Sequence, residues 1–432
     1  CTPTAKDAVL NVSDLATMLS GGDVTIQSAS IAPDIIVKAA LSWASTSRLT
    51  FDAYRSVEID KSVTVTGTGA MTITTNDGGS NGDLSFGNKG KVTFWDLNSN
   101  LVINGQSYVL VGDIATLAAD IASNPSGFYA LAKDYDASAD GSYSQTPIST
   151  PLEGVVEGLG NSISHMTIAS NSELPDSGLF YGVALDGVLR DLGVVSAHVS
   201  GIGGGVLASA NGGSIAACWS SGKIVASGQA SGLVAGNGGT ISRSYSLVHV
   251  YNGIGRAGGL VAYNFGTIDR SFASGGLGIP PLTHTLMGGL VGENSGHITN
   301  SYTLSPLHSR GGGFCDCAFG GLVGKSDPGA TVDHTYAAGI FTNKGNDGWI
   351  GGHTGYDGAS SGSISSSYWD LDKGVNDPSK GAGNIKNDPG ITGLSDAQLK
   401  SGLPAGFYPT IWKQSAKLNN GYPYLVANPP PQ

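Results

Sequence analysis

Charge is scarce in this chain. Only 13% of its 432 residues are Asp, Glu, Lys or Arg, 22 basic against 33 acidic, for a net charge of −11. There is no run of Lys or Arg, so nucleic acid and anionic membrane surfaces are poor partners on electrostatic grounds. Cysteine is also sparse, with four residues, too few for a disulfide scaffold. No apolar stretch approaches the roughly 18–20 residues that would span a bilayer. Helix-favouring Lys, Glu, Arg and Gln are few, which argues against a mainly helical protein. Proline numbers only 18 and glycine shows no period of three, so a collagen-like chain is excluded. What is abundant is glycine, 67 residues, about twice the usual share. At 40% hydrophobic the chain can still build a large core.

One phrase recurs through the second half: SGLVAGNGGTISRSYS from Ser231, GGLVAYNFGTIDRSFASG from Gly258, GGLVGENSGHITNSYT from Gly288 and GGLVGKSDPGATVDHTYAAG from Gly320. Aligned at the residue after the small pair, copies begin at Leu179, Val206, Leu233, Leu260, Leu290, Leu322 and His353, at steps of 27, 27, 27, 30, 32 and 31 residues. Such a period marks a solenoid. Within a copy the apolar runs are short, rich in Val, Ile, Ser and Thr, and divided by Asn/Gly turns that tolerate positive φ. Each copy reads as one coil of a β-helix whose Leu, Val and Ile stack inward at the 4.7–4.9 Å strand spacing. Asn and Ser at equivalent corners are expected to form ladders. A recurring aromatic (Tyr245, Phe272, Tyr302, Tyr336, Tyr368) is expected to stack between coils rather than to form a sugar-binding track.

The first half lacks the phrase but alternates as strands do, from Asp23–Gln27 through Asp34–Lys38, Leu49–Tyr54, Ser62–Thr66, Met71–Thr75 and Asp83–Phe86 to Lys91–Asp96. This spacing predicts three strands per coil. Short helices are expected outside the coils: Asp14–Leu19 capped by Ser13, a stripe of Ile114, Leu117, Ala118 and Ile121, and Asp396–Lys400 capped by Ser395. The fold class is therefore all-β, a right-handed parallel β-helix with peripheral helices, of sixteen or so coils at about 4.8 Å each. Residues 1–150 read as an N-terminal β-helical region, 151–372 as the repeat coils, and 373–432 as a capping segment ending in a Pro-rich tail.

The repeat resembles the GLUG repeat of large bacterial surface proteins. The first half, through LNVSDLATML, DLSFGNKGKVTFWDLNSNLVINGQSYVLV, NPSGFYALAKDYDAS and LEGVVEGLGNSISHMTI, is similar to filamentous-haemagglutinin-type adhesins exported by two-partner secretion. The resemblance implies a right-handed parallel β-helix, a secreted or outer-surface location, an outer-membrane secretion partner, and adhesion or aggregation. No copy of that family's N-terminal secretion domain is present, so an internal or mature portion of a longer exoprotein is expected. Cys1 reads as a proteolytic boundary, with a lipidated N-terminus as the alternative.

The chemistry of an enzyme would have to come from the carboxylates and histidines. Asp134 with Asp136, and Asp370 with Asp372, have the i, i+2 spacing that places two carboxyls on one strand face, as glycosidases need. Both pairs fall where strands end, where Asp normally caps backbone N–H groups. The eight His show no HExxH pattern, and GxSxG is absent. Cys315 and Cys317 form a Cys-x-Cys pair with no second pair to complete a zinc site. Cys218, several coils away, is expected not to pair with either, since a disulfide needs Cα atoms within about 7 Å. No catalytic residue, cofactor or metal is therefore expected. Recognition is assigned to the inserts that lengthen the later copies, Gly276–Met287, Pro306–Phe319 and Thr342–Trp349, carrying His284, His308, Phe314 and Trp349. The expected partner is a host or bacterial surface glycan or a protein receptor, with self-association also open. The alternatives are a β-helical glycosidase or lyase and a self-assembling filament subunit.

Overall fold

The computed structural model describes residues 1–171, 177–252, 254–279, 285–310, 317–344, 348–359 and 362–431. The chain is a β-solenoid of about 13 turns with parallel strands. It has fewer coils than expected because the helix Ile114–Ser123 and the residues beyond Ser395 take no part in them. Two compact units are present: residues 1–135 with 154–163 and 189–193, and residues 136–153 with 164–188 and 194–432. The expected capping segment belongs to the same unit as the repeat coils.

In the first unit three successive coils each supply three strands. Val24–Gln27, Arg48–Asp52 and Ala70–Thr74 stack in parallel, as do Ile35–Val37, Val57–Ile59 and Leu84–Phe86, and Leu41–Trp43, Val63–Val65 and Val92–Phe94. Period-two alternation sends Leu49 and Phe51, Val57 and Ile59, and Val63 and Val65 into one core. The expected three strands per coil are present. Among its paired strands the unit departs from a parallel order at one place. Asn104 and Gly105, with φ of 49° and 78°, turn the chain back so that Leu101–Ile103 pairs antiparallel with Gln106–Val111. Two consecutive residues at positive φ form the tight hairpin that Asn-Gly favours. The helix α1, Val12–Gly21, starts two residues before the expected segment and is capped by Asn11, whose side chain accepts from Ser13 N at 2.8 Å. The helix α2, Ile114–Ser123, buries Ile114, Leu117 and Ile121 as the apolar stripe predicts.

The coils of the second unit follow one plan, seen in the strands Gly255–Gly258, Val261–Asn264, Thr267–Asp269 and Phe272–Ala273. The first two lie on a Gly-Leu-Val face, the third on an Ile face and the fourth on an aromatic face. Phe180 pairs with Ala208 and Ala208 with Val234. Leu207 is therefore the equivalent of Leu233, and the second copy begins one residue later than the sequence alignment placed it. Leu233, Leu260, Leu290 and Leu322 are fully buried. The second glycine of each pair is forced by backbone proximity: a Cβ on Gly259 would lie 2.1 Å from Gly289 O, and one on Gly321 the same distance from Gly352 O.

Two ladders pin the corners, as expected. Asn211 donates to Asn237 at 2.8 Å, Asn237 to Asn264 at 2.7 Å and Asn264 to Asn294 at 2.7 Å, all buried. The hydroxyls of Ser244, Ser271 and Ser301 each accept a backbone N–H from the preceding coil. A satisfied buried network of this kind fixes register, because a slip would strand several polar groups at once.

On the aromatic face Tyr245, Phe272, Tyr302 and Tyr336 stack with centroids 4.9, 4.9 and 5.0 Å apart. This spacing follows from the pitch of the coils. The final segment covers the column. After the helix α3, Asp396–Leu399, with its Ser395 capping box, the chain returns along the rings and packs Phe407, Trp412, Tyr422 and Leu425 against them. Asn428, expected to begin an extended tail, donates instead to Ser244 O and Arg270 O at 3.2 and 3.1 Å.

Candidate functional site

The inserts are not plain loops. Leu277–Ile279, Leu307–Arg310 and Phe341–Lys344 form a row of parallel strands that continues from the second half of Tyr245–Asn252. Leu277, Leu307 and Phe341 share one register, which lets each apolar side chain stack on the next. His308 is thus an exposed strand residue opposite Gly278 and Thr342. Trp349 opens a strand on the Gly-Leu-Val face, opposite Ala318, and is 45% exposed. The two do not share a sheet. His284 and Phe314 lie outside the described residues.

Trp349 belongs to a surface that the inserts alone did not point to. On the Gly-Leu-Val face three outward columns run across successive coils. One holds Arg256, Leu286, Ala318 and Trp349. The second holds Tyr263, Glu293, Lys325 and Tyr356. The third, at the following turn, holds Phe265, Ser295 and Asp327, each of whose N–H bonds the buried Asn of the preceding coil. Aromatic rings occupy the two ends. Tyr263 and Phe265 lie 3.8 Å apart, with Phe265 57% exposed, and Trp349 and Tyr356 lie 5.8 Å apart.

A polar network fills the middle. The Arg256 guanidinium bonds Glu293 and sits 4.4 Å from the Tyr263 ring centroid. Lys325 bridges Glu293 at 2.9 Å and Asp327 at 2.8 Å. Ser295 donates to Asp327 at 2.5 Å and lies 3.2 Å from the Tyr263 hydroxyl. Partial burial works against the Lys325 charge, but the hydrogen bonds it donates to Asp327 and Glu293 hold its pKa above the usual lysine value. The network is fixed in orientation by its own ion pairs. A carboxylate has about four acceptor sites and a guanidinium five donors, so it also holds more hydrogen-bonding capacity than two or three bonds consume. These residues were legible only as variation. In VAGN, VAYN, VGEN, VGKS and TGYD, the slot before the Asn-ladder position changes from coil to coil.

The carboxylate pairs weighed for hydrolysis take other partners. Asp134 pairs with Lys91 at 2.5 Å and accepts Ser162 N at 2.9 Å. Asp136 caps Ser138 N at 3.0 Å and meets His165 Nδ1 at 2.9 Å. Asp370 is fully buried, and its carboxylate accepts from the Tyr422 hydroxyl at 2.7 Å and from Asp372 N at 2.9 Å. Asp372 in turn accepts Asp396 N at 2.9 Å. This second pair therefore fastens the final segment to the coils.

Among the described residues no group of three or more His, Cys, Asp or Glu is placed to hold a metal ion. No helix among them is long and apolar enough to cross a membrane. Cys317 is in a disulfide and Cys218 is a buried thiol, so these two are not joined. Cys315 lies outside the described residues.

No family model matches the chain, and no curated protein matches it. Among solved structures it is similar to a protein from Bacteroides ovatus named a "putative immunoglobulin A1 protease". The identity is 18% and the TM-score 0.45, over 74% of this chain and 92% of that one.

Proposed function

We propose that this chain is a non-enzymatic adhesive segment of a secreted or outer-surface bacterial protein, of the GLUG-repeat, filamentous-haemagglutinin type exported by two-partner secretion. The observation that carries the reading is the Gly-Leu-Val face of the second unit. There, exposed rings and an ordered ion network lie together on stacked coils, an arrangement suited to holding a ligand. Coils that contact only their neighbours can form progressively from one end. That suits a chain emerging through an outer-membrane pore, its secretion partner in this reading. Low charge and few cysteines suit the same route.

The test is adhesion. Beads coated with the purified chain are expected to adhere saturably to host-cell or bacterial monolayers. A Tyr263→Ala/Trp349→Ala double variant with an unchanged circular dichroism spectrum is expected to lose most of that adhesion. Failure of the unmodified chain to adhere to any monolayer would overturn the reading. So would release of reducing or unsaturated sugars from a polysaccharide panel, in favour of an enzyme. Filaments in electron micrographs would replace it with a self-assembling subunit.

A further inference from the structure

The same face has a chemistry that narrows its ligand. We infer that it binds an uncharged, hydroxyl-rich glycan chain, laid along the stacking direction of the coils. One sugar packs on Trp349 and Tyr356, another on Phe265 and Tyr263, and the sugars between are held by Lys325, Asp327 and Arg256, with the buried Glu293 carboxylate fixing the two cations from beneath. The inference rests on the adhesive reading and deepens it.

Three features of the site support this. First, the charges cancel. Arg256 and Lys325 face Glu293 and Asp327, and each cation is already ion-paired within the cluster. A polyanion gains little from such a site, since long-range attraction requires an excess of one sign. Second, the middle is too ionic for an apolar helix or strand, which would have to desolvate the partly exposed Lys325 and Asp327 without replacing their hydrogen bonds with water. Hydroxyls, which donate and accept at one atom, can satisfy guanidinium, ammonium and carboxylate alike. Third, the rings are displaced along the coil axis. Tyr263 and Tyr356 share a register three coils apart, as do Arg256 and Trp349. That is about 14 Å at the strand spacing, a span that a chain of a few sugars bridges and a single sugar does not. An aromatic ring offers a flat apolar face with polar groups near its rim, matching the apolar face and hydroxyl edge of a pyranose. The side chains are held by their own pairs, so little ordering entropy is lost on binding.

The experiment is calorimetry or ligand-observed NMR with the full chain and four neutral series of increasing length: cello-, xylo-, manno- and galacto-oligosaccharides. At least one series is expected to bind, to tighten with length until about 14 Å is spanned, and to be indifferent to molar salt. Trp349→Ala and Tyr263→Ala are each expected to weaken association about tenfold or more, or about 1.4 kcal/mol, and Trp349→Phe to restore part of the loss. Thermal unfolding of each variant serves as the folding control, which the partial exposure of both rings makes favourable. Three results would overturn the assignment: no neutral series binding, binding unchanged in both alanine variants, or heparin binding that vanishes in high salt in place of neutral binding. If coated beads adhere to cells while every neutral series fails, the glycan assignment falls and the adhesive reading stands. If a neutral series binds through these rings while beads adhere to nothing, the glycan site stands and the adhesive reading falls.

Discussion

Two sets of aromatic residues in the same unit meet opposite fates. On the aromatic face, Phe272, Tyr302 and Tyr336 are at most 1% exposed, stacked one per coil and roofed by Phe407, Trp412 and Tyr422. On the Gly-Leu-Val face, Phe265 and Trp349 are 57% and 45% exposed and interrupted by charge. The sequence around both sets is similar in kind, an aromatic beside small or polar residues. What separates them is continuity. A ring in every coil makes an apolar strip too long to leave in water, and the chain supplies its own cover. Rings three coils apart with ion pairs between make no such strip, and no cover is needed. A recurring aromatic in a solenoid thus calls for cover, and an intermittent one is left open to solvent.

Truncating one ring from each set should break the comparison most visibly. Trp412→Ala removes a fully buried ring stacked 4.4 Å from Phe407 and should cost about 3–5 kcal/mol. Trp349→Ala should stay within about 0.5 kcal/mol, as exposed substitutions usually do. Urea unfolding monitored by tryptophan fluorescence measures both. Equal losses would mean that the open rings are structural after all.

The same comparison extends inward, to the repeat copy in which His353 replaces the buried Leu. His353 stands in register with Leu322 and Leu290 and is fully buried, bonded to Thr335 and Thr354 at 2.9 Å each. Burial lowers its pKa from 6.5 to about 3. Between those values the unfolded chain binds a proton that the folded chain refuses. The stability is complete above about pH 6.5 and is lost as the pH falls towards 3. Asp357 on the same coil works the other way. Burial, then the neighbouring Asp388, pushes its pKa from 3.8 up to about 6, so the fold gains as the pH falls through that window. The His353 effect is isolated by comparing the chain with His353→Leu. The variant should gain about 3 kcal/mol relative to the parent at pH 4 over its difference at pH 7. At pH 7 it should lose about 1 kcal/mol for the abandoned Thr354 hydroxyl. A pH-independent difference would show that His353 is not held neutral.

Much of the coil architecture was legible from residues alone. The Gly-Gly-Leu spacing located the turns, the recurring Asn at the corners announced a ladder, and Ser395 announced a helix cap. The site was legible in part. Trp349 was marked by the lengthened repeat, whereas Arg256, Tyr263, Glu293 and Lys325 were hidden because they sit in repeats that otherwise look alike. Their signal was change in one outward slot, and that becomes meaningful only once the register shows the slots to be adjacent. The return of residues 395–428 over the aromatic column was not legible. Its contacts join Asn428 to Ser244 and Tyr422 to Asp370 across long stretches of chain, and neither pair carries a local pattern. The hairpin at Asn104-Gly105 could have been found, since that dipeptide between apolar runs is a strong turn signal.

The subtlest contrast lies within the covered column itself. Tyr302 and Tyr336 are both fully buried and stack 5.0 Å apart with their rings nearly parallel. Burial raises both phenols well above the usual tyrosine pKa, so both stay protonated through the neutral range. Their hydroxyls differ. That of Tyr336 donates to Pro423 O at 2.6 Å and accepts from Asn419 at 2.9 Å, whereas that of Tyr302 reaches only Asn419, at 3.4 Å. Replacing Tyr336 by Phe removes two hydrogen bonds, leaving Asn419 and Pro423 O only their mutual bond at 2.7 Å, and should cost about 1–3 kcal/mol. Replacing Tyr302 by Phe sacrifices a long, weak bond and should cost at most about 0.5 kcal/mol. Thermal unfolding of the two single variants and the double variant decides the matter. If the ring stack alone holds the final segment down, the two substitutions will be equally mild. If the Tyr336 hydroxyl is the peg on which that segment hangs, only its loss will lower the midpoint, and the double variant will add little to it.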